Sequence, residues 1–277
     1  MSRERRKKRG DMYGWLLISL TTLIVLVIVI GALFYEDKII KVDKNTFCPT
    51  EIPINKTVMI IDLSDKLNKP QKEFFLKEMQ TIKRNVKKHH NFTIYLLDEN
   101  LNIDKNKKFS LCNPGTQKDI ENSNFYEQKT VNPKKVIKQW EEDFSKQISD
   151  EIDKMIRGTR SQNTSPVLEM IQLVSIREFK NIDSKENNLI IISDMIQNTD
   201  NLSMYQSKIP AFDEFKQGNY FSKVRTNLDN NVKVMLYVLK RNGYRPMQES
   251  RNFYEFWSNF FVKGIKANNF GIAWVDG

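Results

Sequence analysis

The longest apolar stretch of the chain lies near its N-terminus and runs from Trp15 to Phe34 without a charged residue. A helix of that length measures about 30 Å, which is the thickness of the hydrocarbon core of a bilayer. Tyr13 and Tyr35 lie at the two ends of the stretch, where aromatic side chains favour the membrane–water interface. The pattern predicts one transmembrane helix over residues 12–35.

Charges on the two sides of this span predict its orientation. Residues 1–11 are rich in Arg and Lys, whereas Glu36, Asp37 and Lys38 are mixed in sign. The positive-inside rule therefore places the N-terminus in the cytoplasm and the rest of the chain outside. A cleaved signal peptide is the alternative, but its apolar region is shorter and ends at a small-x-small site. We expect an uncleaved signal anchor, although the sequence leaves cleavage open.

Beyond the span, short apolar runs alternate with segments of helical periodicity. The runs that predict buried strands are Thr57–Asp62, Phe92–Leu97, Leu189–Ile192, Val232–Leu239 and Phe270–Val275. The segments that predict helices are Gln71–Lys88, Pro133–Ile156, Val167–Phe179 and Gln248–Ile265. Continuous apolar strands between helices are typical of an α/β fold with a mainly parallel central sheet and helices on both faces, a Rossmann-like arrangement.

The same pattern divides the exported part of the chain. Residues 36–54 form a linker that contains Cys48, and residues 55–277 form one domain. Within it, residues 99–131 are polar and predict an insertion or long loop, which is unusual inside a compact domain.

The two cysteines, Cys48 and Cys112, both lie beyond the span. Because an exported compartment is oxidising, two thiols there usually pair. A bond between them closes a loop of roughly 65 residues and stabilises the fold by about 4 kcal/mol in the chain-entropy model. Free thiols or an intermolecular bond are the alternatives.

Composition narrows the function. The chain has 40% hydrophobic residues, which is enough for a core. Its two Cys exclude a four-thiolate zinc or iron–sulfur site within one chain, and its two His leave little room for a His-rich metal site. The formal net charge of +10 is spread along the chain. It indicates a solvated surface and gives weak support to an acidic partner. The basic run abuts the span and is short, so we expect no nucleic-acid partner.

Polar clusters follow three of the predicted elements. They are Asp62-Leu63-Ser64-Asp65 after the first strand, Thr164-Ser165 before a helix, and Ser193-Asp194 after the third strand. In open α/β sheets ligands bind beyond the carboxyl ends of the strands. Carboxylates and hydroxyls converging there suit a hard divalent cation such as Mg²⁺.

At these residues the chain resembles the von Willebrand factor A domain family, over about residues 55–277. The metal-ion-dependent adhesion site of that family has a D-x-S-x-S motif, a later Thr and a later Asp. Asp62, Ser64, Thr164 and Asp194 match these positions, with Asp65 as a further candidate ligand and Thr159 as an alternative to Thr164. The resemblance implies Mg²⁺ or Mn²⁺ with one open coordination position, which a carboxylate of a partner protein completes.

The chain departs from that motif at one position and extends the resemblance at others. Lys66 stands where the motif has its second Ser, which removes a hydroxyl ligand and adds a positive charge. FCPTEIP, VMIIDLSDKL, LCNPG, TSPVLEMIQ and IIISDMIQNT resemble a group of bacterial membrane-anchored proteins of unestablished activity. The resemblance implies a single-pass protein of the bacterial inner membrane with a periplasmic domain.

Three functions stay open, and the first is our expectation. It is a non-enzymatic protein-binding or assembly module of an envelope complex, possessing a degenerate adhesion site. The second is a membrane-anchored hydrolase or phosphatase that uses Asp62. The third is a scaffold without metal, in which Asp62 and Asp194 only cap a helix and a turn.

Catalysis has little support in the sequence. Aspartyl-nucleophile phosphatases have D-x-D, but Ser64 stands at the second acidic position. His89 and His90 end the first predicted helix, so we expect them at the opposite edge of the sheet from Asp62. Neither G-x-G-x-x-G nor G-x-x-x-x-G-K occurs.

Overall fold

The fold is given by a computed structural model that describes residues 3–36, 41–62, 67–97, 99–116, 118–119, 132–143, 146, 150, 164–205, 208–229 and 231–276. The strands are β1 (Lys56–Asp62), β2 (Asn91–Leu97), β3 (Lys107–Cys112), β4 (Asn187–Ser193), β5 (Asn198–Thr199), β6 (Leu202–Ser203), β7 (Val232–Leu239) and β8 (Asn269–Val275). The helices are α1 (Arg3–Glu36), α2 (Lys69–Asn85), α3 (Ile103–Asn106), α4 (Pro133–Lys138), α5 (Val167–Phe179), α6 (Phe212–Gln217), α7 (Asn219–Val224), α8 (Arg245–Gln248) and α9 (Arg251–Asn259). Wider π-helical turns extend α4 through Gln139–Asp143 and α9 through Phe260–Gly264.

Helix α1 contains the apolar stretch. Its segment Tyr13–Ala32 is long and apolar enough to cross a membrane, and none of its most apolar window is buried against the rest of the chain. The hydroxyls of Ser19, Thr21 and Thr22 donate to backbone carbonyls three or four residues earlier in the helix. These bonds satisfy polar groups that lipid could not hydrate.

The main sheet has the strand order β3-β2-β1-β4-β7-β8. Five of these strands run parallel, and β3 pairs antiparallel with β2 at the edge. The prediction of an α/β fold with a mainly parallel central sheet is confirmed. All five predicted strands are present, with ends within two residues of the predicted ones.

The alternating side chains of β1 point into two separate cores. Val58 and Ile60 belong to the core that α5, α6, α7 and α9 cover. Met59 and Ile61 belong to the core beneath α2. Because both faces are covered, successive side chains in the middle of β1 must all be apolar, which explains the unbroken run in the sequence.

The alternative of one long loop over 99–131 is wrong for its first part, whereas an insertion there stays a prediction. Residues Ile103–Asn106 form α3, and Lys107–Cys112 form β3. The sequence KKFSLC does not predict a buried strand because it is half-polar, which is common for an edge strand with one solvated side. Residues 120–131 lie outside the described part of the chain. The helix predicted to run to Ile156 is described only as far as Asp143, apart from residues 146 and 150.

A buried ionic cluster joins the first three strands of the sheet, β1, β2 and β3, to α5. Glu178 accepts hydrogen bonds from Lys56 Nζ, Lys107 Nζ and the Tyr95 hydroxyl. Burial alone raises the pKa of Glu178, but Lys56, Tyr95 and Lys107 together lower it below its usual value. The carboxylate therefore stays charged and fixes the C-terminal end of α5 against β1, β2 and β3.

Cys48 and Cys112 form a disulfide, as the sequence predicted. Cys112 lies opposite Asn91, the first residue of β2, so the bond lies at the amino edge of the parallel strands. The backbone N–H of Cys112 also donates to the carbonyl of Thr46. The chain that arrives from α1 therefore joins the domain at this edge.

Replacing both cysteines by serine should lower the free energy of unfolding by about 4 kcal/mol. The disulfide joins residues 64 positions apart, and removing it restores the entropy that this loop lacks in the unfolded chain. The measurement is urea unfolding of the full chain in detergent, followed by tryptophan fluorescence. Dithiothreitol should lower the wild-type midpoint to that of the double variant and leave the double variant unchanged. Equal midpoints for the oxidised wild type and the double variant would contradict this expectation.

Candidate binding site at the carboxyl edge of the sheet

Described residues from three predicted polar clusters meet at the carboxyl edge of the sheet. Asp62, the last residue of β1, is 2% exposed. Its Oδ2 accepts a hydrogen bond from Ser193 Oγ, at the end of β4, at 2.8 Å and one from Ser165 Oγ, just before α5, at 3.4 Å. Asp194 follows Ser193 directly. The sequence thus predicted correctly that these segments converge.

The predicted ligand set is only partly described. Ser64, Asp65 and Lys66 lie outside the described residues, as does Thr159. Thr164 is described and half-buried, and its neighbour Ser165 is the residue whose hydroxyl reaches Asp62. Asp62, Ser165, Ser193 and Asp194 are therefore the described centre of the candidate site.

Ser193 connects the Asp62 carboxylate to the backbone of the next turn. Its hydroxyl donates to Asp62 and accepts from the backbone N–H of Met195 at 2.8 Å. Met195 has a φ of 58°, in the left-handed region, which turns the chain sharply after β4. This turn keeps the Asp194 side chain at the edge of the sheet.

The Asp194 carboxylate is buried and held on both oxygens. Oδ1 accepts the backbone N–H of Ile196 at 2.9 Å, and Oδ2 lies 3.1 Å from Nε of Arg241. The side chain of Asp194 is 1% exposed and that of Arg241 is 14% exposed. Asp194 therefore caps a turn, as one sequence interpretation held, and it also forms a buried ion pair that the sequence did not predict.

Two buried glutamines clamp the ends of the strands. Gln248 Nε2 donates to the carbonyls of Asp194 and Leu239, and its Oε1 accepts the backbone N–H of Arg241. Gln71 Nε2 donates to the carbonyl of Lys240. These amides satisfy backbone groups that strand pairing leaves open where β4 and β7 end. Sequence reasoning missed them because a Gln in a helix is ordinary until its burial is known.

A third glutamine orders the start of α5. Gln197 Oε1 accepts the backbone N–H of Leu168, and its Nε2 donates to Glu169 and to the Tyr220 hydroxyl. Tyr220 in turn donates to Glu169 at 2.6 Å. Burial and the neighbouring Glu169 raise the pKa of Tyr220, so its hydroxyl stays a neutral donor.

The described residues do not fit a divalent ion bound directly by Asp194. Carboxylates are the ligands that Mg²⁺ and Mn²⁺ prefer, and Asp62 and Asp194 supply them. However, both Asp194 oxygens are already engaged, one of them by a guanidinium. No group of three or more His, Cys, Asp or Glu residues that could hold a metal occurs among the residues described.

The chain's two histidines lie at the other edge. His90 Nε2 is 3.1 Å from Nδ2 of Asn55, the residue before β1. A seven-residue strand spans roughly 20 Å, so His90 is about that far from Asp62. His89 and His90 therefore lie at the opposite edge from Asp62, as the sequence predicted.

Replacing Asp62 by Ala should lower the free energy of unfolding by about 1.5–3 kcal/mol, because two buried hydroxyls lose a charged acceptor. Urea unfolding of the full chain in detergent measures the change. The matched control is Asp200→Ala, at an exposed position in the turn between β5 and β6, which should stay within about 0.5 kcal/mol of wild type. Equal stability of the two variants would contradict the role given to Asp62.

No protein-family model matches the chain, and the curated proteins contain no match either. The resemblance to von Willebrand factor A domains therefore depends on the motif residues and the order of elements alone. What is established is an α/β domain with a mostly parallel six-stranded sheet and a preceding apolar helix.

Proposed function

We propose that this chain is a membrane-anchored protein-binding module of a bacterial envelope complex, and that its carboxyl edge contacts the partner. The observation that carries the proposal is the buried polar network of Asp62, Ser193, Asp194 and Arg241 at that edge. Even a well-paired buried ion pair usually adds little stability over apolar residues of the same volume, so this network supports a role beyond stability.

The position of this network within the domain supports the proposal. The linker joins the domain at the amino edge, where the disulfide holds residue 48 against the end of β3. The carboxyl edge lies roughly 20 Å away, at the far end of the strands. A partner could thus approach the carboxyl edge without meeting the anchor's point of attachment.

The chemistry of the network favours binding over bond cleavage. Asp62 accepts hydrogen bonds from two serines, and Asp194 is paired with Arg241. A nucleophilic carboxylate needs an acid or base beside its target, and among the described residues both histidines lie at the opposite edge. Hydrolysis at Asp62 is the competing function, and the experiments below distinguish it from binding.

The proposal includes an inner-membrane location with the N-terminus in the cytoplasm. Alkaline phosphatase, which is active only outside the cytoplasm, should be active when it is fused after residue 277. Replacing the basic residues of segment 1–11 by glutamine should lower that activity, because the charge bias across the span is then lost. An inactive fusion that is present at normal levels would contradict the orientation.

Photo-crosslinking in cells tests the binding function. A benzoylphenylalanine at Asn242, exposed directly after Arg241, should give a defined adduct with one partner protein. The same group at Lys185, exposed at the amino edge just before β4, is the matched control and should not give that adduct. Asp62→Ala should weaken the Asn242 adduct at least tenfold if the protein is still folded.

Two results would overturn the binding proposal. One is the same adduct pattern from Asn242 and Lys185, which would mean that the carboxyl edge is not a specific surface. The other is turnover of phosphate or ester substrates by the purified full chain that disappears in Asp62→Asn. That second result would establish the hydrolase instead.

A further inference from the structure

Arg241 brings a positive charge to the place where the resemblance implies a metal ion. It follows Lys240 directly after β7, and its Nε lies 3.1 Å from Oδ2 of Asp194. Both side chains are largely buried. A carboxylate that is 1% exposed requires a compensating charge or strong hydrogen bonds to remain ionised.

The pair is held by more than its own attraction. Gln248 accepts the backbone N–H of Arg241 and donates to the backbone carbonyl of Asp194, so one side chain sets the spacing of both residues. Gln248 is itself fully buried. The Ile196 N–H fixes the orientation of the carboxylate from the other side. The guanidinium is thus held in a defined position by the hydrogen bonds that Gln248 makes with the backbone of Arg241 and with that of Asp194, and it does not extend along an open surface.

We infer that Arg241 takes the place of a divalent ion at this edge: its guanidinium compensates Asp194, and it keeps a metal ion away from that carboxylate. A divalent ion bound to Asp194 Oδ2 would have to displace the guanidinium or lie beside it, where like charges repel. Arginine stays protonated at any physiological pH, so this charge is permanent. The inference rests on the proposed function only in treating this edge as the functional one.

Thermal unfolding of the full chain in detergent, with EDTA or with millimolar Mn²⁺, tests the inference. The wild-type midpoint should be the same in both conditions. In EDTA, the midpoint of Arg241→Gln should be lower than that of the wild type. Mn²⁺ at ten times its dissociation constant should raise the midpoint of this variant by about 3–5 °C. The double variant Arg241→Gln, Asp194→Asn should lose this response.

The matched control is Arg245→Gln, which removes another arginine near the same edge, one that lies 3.8 Å from Asp276. Its midpoint should not respond to Mn²⁺. If Arg241→Gln does not fold, the double variant should fold, because it removes both charges of the pair. A double variant that also fails to fold would overturn the inference, since charge compensation would then not be what Arg241 supplies.

Two further outcomes would overturn it. One is a wild-type midpoint that Mn²⁺ raises and that Asp194→Asn makes insensitive, because the metal would then be the native counter-ion. The other is a folded Arg241→Gln variant that does not respond to Mn²⁺. No partner takes part in this measurement, so its failure is distinct from the absence of a crosslink at Asn242.

Discussion

The burial of β1 on both faces is the constraint on which the rest of the structure depends. Its side chains alternate between two helix-covered cores, so a polar group is tolerated only where the strand ends. Asp62 stands at that end. β4, the neighbour of β1, has the same requirement and ends in Ser193. Polar side chains of the central strands are thereby confined to the strand ends, and the parallel arrangement brings those at the carboxyl ends together.

Once the carboxylates are buried there, each must be satisfied from within the chain. Oδ2 of Asp62 accepts from two serine hydroxyls, and Asp194 accepts from a backbone N–H and from Arg241. Glutamines 71 and 248 then satisfy the carbonyls where the strands end. The result is a rigid, buried polar network with a fixed charge distribution beneath the carboxyl edge.

The amino edge of the sheet carries the contacts that fix the linker and α5 to the domain. The disulfide, the bridge between Val42 and Pro49, and the Glu178 cluster all stabilise that end of the domain. It is the end that receives the chain from the apolar helix. The parallel arrangement of the strands thus separates the edge that the linker joins from the edge where Asp62, Ser193 and Asp194 meet.

The sequence by itself determined the apolar helix, the five parallel strands, the disulfide partners and the meeting of Asp62, Ser193 and Asp194. Each of these features follows from the hydrophobic period, the residue type or the position of a strand end, and these can be read along the chain without knowing the tertiary contacts. Only the tertiary structure decided that KKFSLC is an edge strand, that Ser165 reaches Asp62, and that Arg241 and Gln248 hold Asp194. Arg241 and Asp194 are 47 residues apart in sequence. Such contacts depend on how β4 and β7 pair, and no local pattern specifies which buried charge another strand will bring beside it.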